Sequence, residues 1–169
     1  MNGILNLSSA NYSSTQGCLD MSTVPYILTM GASATTTGTG DVTGIVTRNS
    51  FAVNTPYTFG NQFTTLSFQA GGTNLSSSVS VKLVLTAPLF TNSINRYYDI
   101  AQTDGTINTL ATLNLHYLPG ELNGNSIGNM NLYDYDVVSK TAEVQGASNS
   151  SSTDYWVGLT NLSITHIGP

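Results

Sequence analysis

Charge is what this chain most lacks: Asp, Glu, Lys and Arg together make up 8% of its 169 residues, against roughly 25% in an average soluble protein. Only Arg48, Arg96, Lys82 and Lys140 are positive, and the formal net charge is −5. Nothing is left to neutralise a phosphate backbone or an anionic headgroup layer, so nucleic acid and acidic membranes are poor partners. Cysteine is almost absent. Cys18 stands alone, which rules out an intrachain disulfide and with it the small stapled scaffolds of secreted proteins; it reads as a small buried apolar residue. No apolar run approaches the roughly 20 residues of a membrane-spanning helix. Met1-Asn2-Gly3 lacks the basic start and apolar run of a signal peptide, so the chain is expected to be the mature or excised part of a longer precursor.

The scarcity of histidine and of clustered carboxylates limits the chemistry further. A Ser-His-Asp hydrolase would have to recruit His116 or His166, and neither accompanies a G-x-S-x-G elbow. His116 falls on the polar phase of its strand and reads as a surface or sheet-edge residue. Sites of the His/Cys metal type fail for want of ligands. Asp134 and Asp136 project from one face of a strand at a spacing that would suit a glycosidase pair, but they lie on its solvent phase, where nothing desolvates either one. They could hold a weak calcium ion, since Ca²⁺ collects carboxylate oxygens and stiffens many extracellular β domains. No other cofactor is implied, and the chain reads as non-enzymatic.

What takes the place of charge is Ser, Thr, Asn and Gly, which solvate a surface without attracting counter-charges. That composition suits a protein facing the outside of a cell. Hydrophobic residues at 40%, with nine Tyr and five Phe, supply enough apolar surface to offset chain entropy, and the length suits one domain.

Helical periodicity fails nearly everywhere, whereas period two recurs. In Ser78-Val79-Ser80-Val81-Lys82-Leu83-Val84-Leu85 the odd positions form an apolar face opposite Ser80 and Lys82. Leu110–Tyr117 and Asn131–Val137 alternate in the same way. Strands are also expected over Ile4–Leu7, Tyr26–Met30, Val42–Val53, Tyr57–Phe59, Phe63–Phe68, Ile94–Ile100, Thr141–Gln145, Tyr155–Leu159 and Leu162–Ile167, with turns at Gly71-Gly72, Asp104-Gly105 and Asn123-Gly124. Gly31–Asp41 reads as a loop or a weak edge, and Ser148–Thr153 as a polar loop. Many short half-buried strands point to an all-β fold, an antiparallel β-sandwich of jelly-roll or immunoglobulin-like type.

Residues 1–41 form an N-terminal strand extension ahead of the sandwich domain at 42–169. Its strands cannot bury an apolar face alone and must pack on the sandwich or on a neighbouring copy. Ile4, Leu5 and Leu7 are therefore candidates for an assembly strand that adds to a neighbour's sheet.

Three stretches together carry a resemblance. Asn2-Gly3-Ile4-Leu5-Asn6-Leu7 leads to Tyr26-Ile27-Leu28-Thr29-Met30-Gly31-Ala32-Ser33-Ala34-Thr35. Gly44-Ile45-Val46-Thr47-Arg48 leads to Tyr57-Thr58-Phe59-Gly60-Asn61. Leu132-Tyr133-Asp134-Tyr135-Asp136 leads to Tyr155-Trp156-Val157-Gly158-Leu159. In this order they resemble Bacteroidetes-like secreted surface proteins and adhesins, in which strand-rich repeats precede a β-sandwich. The resemblance implies a display or scaffold role at the cell surface, with neighbouring copies or repeats as partners and no catalytic residues. The alternative is a carbohydrate-binding module in which Tyr97, Tyr133, Tyr135 and Trp156 stack on the apolar faces of sugars.

Overall fold

The computed structural model describes residues 2–8, 19–23, 26–71, 75, 77–86, 89–102, 110–136 and 138–163. Cys18, Gly72, the Asp104-Gly105 turn and His166 lie outside them. The protein is all-β. None of its helices is long and apolar enough to cross a membrane, among the described residues.

Two sheets form the sandwich. In the first, β5 (Val42–Asn49), β8 (Ser78–Leu85) and β9 (Arg96–Gln102) are antiparallel neighbours. The second has the order β13 (Asn149–Ser151), β14 (Trp156–Ser163), β10 (Leu110–His116), β7 (Thr65–Phe68), β6 (Tyr57–Thr58). The strand order singles out neither the jelly-roll nor the immunoglobulin-like pattern. As the alternation requires, Val79, Val81 and Leu83 of β8 are buried, and Val79 and Val81 share one core with Leu66, Phe68, Ala111 and Leu113 of the other sheet.

The N-terminal extension joins the sandwich by parallel pairing. β2 (Leu19–Asp20) and β3 (Ile27–Met30) lie end to end along the same edge of β5. β1 (Ile4–Asn6) pairs in parallel with β4 (Thr35–Thr37) as a separate ribbon. Leu7, Met30 and Ala34 from this extension are buried in the same core as the sandwich strands. Gly44 makes the β2 junction feasible: its φ is +94°, and a Cβ there would overlap the Met21 carbonyl.

Other departures from the sequence reading have local causes. The stretch read as a loop or weak edge at 31–41 contains the short strand β4, whose Thr36 is buried and whose N–H donates to Thr58 Oγ1 at 2.9 Å. The loop expected at 148–153 contains β13, paired to β14. The strand from Val42 stops at Asn49 because Ser50 turns to φ +69°. At the other end, the two expected strands are one, β14, which passes through Asn161 at φ +59°. A hairpin of β11 (Leu132–Asp136) and β12 (Thr141–Gly146) lies against β14, and two short 3₁₀ turns, Pro119–Glu121 and Ile127–Asn129, precede it.

Candidate functional site

Half of the chain's cationic residues are buried. Arg96, the first residue of β9, points inward, and its side chain is 1% exposed. Its Nη2 donates to Asp41 Oδ2 at 2.8 Å and to Glu121 Oε1 at 2.9 Å. Nε lies 2.6 Å from Glu121 Oε2 in an ion pair. Nη1 donates to the His116 carbonyl at 2.9 Å and to Tyr98 Oη at 3.0 Å. Asp41 in turn takes a hydrogen bond from His116 Nδ1 at 2.9 Å, while Asn61 Nδ2 donates to the Gly40 carbonyl at 2.9 Å.

Burial works against ionising the Asp41 carboxyl, but the Arg96 guanidinium and the His116 ring outweigh it and hold the carboxyl well below its usual range. Burial also disfavours the charged Arg96, and Tyr98, Asp41 and Glu121 overcome it, leaving the guanidinium firmly protonated. The same burial pushes the Tyr98 hydroxyl up to about 12. This network ties β9 and the end of β10 to residue 41, the 59–64 turn and the 3₁₀ turn at Glu121.

His116 therefore corrects the sequence reading. It lies on the polar phase of β10, yet it is buried because Asp41, Asn61 and the Phe63 ring cover that end of the sheet; the two rings are 5.9 Å apart. An Asp–His pair of this geometry occurs in hydrolases, where the histidine activates a hydroxyl or thiol. Among the described residues, no serine, threonine or cysteine side chain is hydrogen-bonded to this ring. Asp41 is also clamped by Arg96, which holds both partners within one buried ion-pair network.

Arg48 forms a second buried centre, this time among carbonyls. Nε donates to Thr58 O at 2.6 Å, Nη1 to Gly31 O at 2.8 Å and Nη2 to Ala34 O at 2.5 Å. The guanidinium carbon lies 5.5 Å from the Tyr57 ring centroid and 5.8 Å from that of Phe59. Burial pulls its pKa down, partly countered by Tyr57. No carboxylate pairs with it among the described residues.

Beside the Arg96 network a cleft of about 340 Å³ opens between β9 and β10 on one side and the segments 89–95 and 125–133 on the other. Tyr97 and Tyr133 line it, as do Phe90 and four asparagines. Phe90 gathers the aromatics at this place, lying 5.1 Å from the Tyr133 ring and stacked at 5.8 Å on Tyr135. The structure thus brings together three of the four residues considered for sugar stacking. Trp156 is not among the cleft-lining residues: it is half-buried on β14, beside Tyr155, whose φ of +53° breaks the strict alternation expected of the Tyr155-Trp156 pair.

Asp134 and Asp136 do not share a solvent environment. Asp134 is half-buried and lines a small cavity with Leu132 and Gln145. Asp136 is exposed, and its Oδ1 accepts from the N–H groups of Ser139 and Val138, which caps the hairpin turn and lowers its pKa. No group of three or more His, Cys, Asp or Glu side chains able to hold a metal forms among the described residues.

Of the candidate assembly residues, Ile4 is 69% exposed, Leu5 packs against the core and Leu7 is buried within it. Arg96, Asp41 and Glu121 went unnoticed in the sequence as a site. Their signal is scarcity, since a chain with so few charges that places an arginine in an apolar strand must neutralise it nearby. No protein family, curated protein or solved structure matches the chain.

Proposed function

We propose that the chain is an extracellular structural or adhesive module of a bacterial surface protein, joined to neighbouring copies or repeats through open strand edges. The observation that carries this reading is the state of the N-terminal strands. Ile4 in β1, Tyr26 just before β3 and Ile27 in β3 are 69%, 63% and 55% exposed. β1 is hydrogen-bonded to β4, and its opposite edge meets no other strand among the described residues.

A soluble monomer normally blunts such edges with lysine, proline or a bulge. Ile4–Asn6 and Ile27–Met30 carry no charge at all. An unblunted apolar edge is a template for strand addition, with backbone hydrogen bonds giving affinity and alternate side chains giving register.

Sedimentation and electron microscopy of the purified chain test the assembly. Concentration-dependent association, or fibres, abolished by Ile4→Lys with Ile27→Lys is the expected result. A wild-type chain that stays monomeric at high concentration sinks this reading. Labelling of intact cells with a membrane-impermeant reagent tests the location, and protection of the chain from the label would refute it.

A further inference from the structure

We infer that the cleft beside the Arg96 network binds a neutral saccharide unit. This goes beyond assembly and stands on different residues from the strand edges. The cleft volume of about 340 Å³ is at the small end of ligand pockets, which run from roughly 300 Å³ upward. It therefore suits a sugar ring or two better than a folded partner's surface.

The lining has the chemistry of a sugar site. A pyranose presents an apolar C–H face and a rim of hydroxyls, so it needs an aromatic ring beside neutral donors and acceptors. Tyr133 is 47% exposed and leans on Phe90, which leaves ring surface open to a ligand at the mouth. Asn125 and Asn131 also line the cleft, and each donates an amide N–H to a neighbouring carbonyl, Leu122 O at 2.8 Å and Asn129 O at 3.3 Å. Those bonds set the planes of both amides.

Charge is missing from the cleft in the sense that matters. Its guanidinium, Arg96, is already matched by Asp41 and Glu121, so a phosphate or carboxylate ligand gains nothing there. An unsatisfied group completes the case: Tyr117 lines the cleft and is 1% exposed, yet among the described residues its hydroxyl has no hydrogen-bond partner. A buried hydroxyl left unpaired is unfavourable. A ligand hydroxyl reaches it once the Tyr117 side chain turns toward the cleft on binding.

The test is a titration with soluble neutral oligosaccharides of glucose, mannose, galactose and xylose, followed by calorimetry and amide chemical shifts. Oligogalacturonate and a Trp/Phe-containing peptide serve as the charged and the aromatic comparison probes. The expected result is saturable binding of at least one neutral sugar, with shifts at Phe90 and Asn131. Tyr133→Ala should weaken it about tenfold, as loss of one stacking contact does, and Val138→Ser, at an exposed position outside the cleft, should leave it unchanged.

Tyr117→Phe separates ligand binding from folding. Weaker binding by a chain that is at least as heat-stable supports the inference, whereas raised stability with unchanged affinity overturns it. Failure of every neutral sugar at millimolar concentration also overturns it, as does equal binding of the peptide or the uronate. None of those outcomes bears on association through Ile4 and Ile27, which is read by sedimentation.

Discussion

Arg96 and Asp41 are 55 residues apart in the chain, yet Nη2 and Oδ2 meet at 2.8 Å with both side chains shut off from solvent. Removing one member of such a buried pair leaves the other charged and unmatched, at a cost of about 3–5 kcal/mol. Arg96→Met should therefore lower the free energy of urea unfolding by about that much, since it strands both Asp41 and Glu121. A loss below about 1 kcal/mol, the level of an ordinary substitution, would show that the network is not a brace.

Acid should act through Asp41. Its folded pKa lies below that of the unfolded chain, so the unfolded state takes up the proton first. The contribution to stability is complete above about pH 4, the ordinary carboxyl value, and is lost as pH falls from there toward the depressed folded value. Urea midpoints measured down this range should drop in the wild type and drop less in Arg96→Met.

Alkali should act through Tyr98. Its hydroxyl is raised from 10.0 to about 12 in the folded protein, so the unfolded chain releases this proton first. The corresponding stability is full below pH 10 and is lost as pH rises from there through about 12. Tyr98→Phe should flatten the decline in that window, as read by unfolding midpoints against pH.

Arg48→Lys tests the second buried cation. One ammonium cannot reach Thr58, Gly31 and Ala34 together with the fixed fork that a guanidinium supplies. The loss should be about 2–3 kcal/mol, with at least one buried carbonyl left unpaired. Hydrogen exchange should accelerate first at residues 27–37, which the guanidinium holds to β6.

Gly44→Ala should strain the β2 junction. The backbone there is left-handed, and the new Cβ would collide with the Met21 carbonyl, so a loss of about 1–3 kcal/mol is expected. The amides of Leu19 and Met21, bonded to the Asp41 and Thr43 carbonyls at 3.2 and 2.9 Å, should lose protection in exchange experiments.

The sandwich strands were legible in the sequence because half-burial writes itself as alternation. Val79, Val81 and Leu83 are buried, as their phase requires. Of the strands that escaped notice, Thr35–Thr37 and Asn149–Ser151 are made of Thr, Asn and Ser, and Leu19–Asp20 is only two residues long. Their conformation comes from partners found elsewhere in the chain. Local pattern is equally silent about His116, whose outward phase is reversed by coverage from residues 41 and 59–64. The aromatic cleft was half visible: Tyr97, Tyr133 and Tyr135 stood out as exposed-ring candidates, but Phe90, which gathers two of them, and Tyr117, with its unpaired hydroxyl, acquire meaning only once β9, β10 and the 119–133 connection are folded together.

The carbonyl cage around Arg48 also decides where this polypeptide can be cut. Two of its three backbone acceptors, Gly31 and Ala34, lie before residue 42. A fragment beginning at Val42 would keep every strand of the antiparallel sheets and still present a guanidinium to the interior with most of its acceptors gone. The guanidinium thus fastens the extension to the sandwich from the inside, through acceptors on both sides of residue 42.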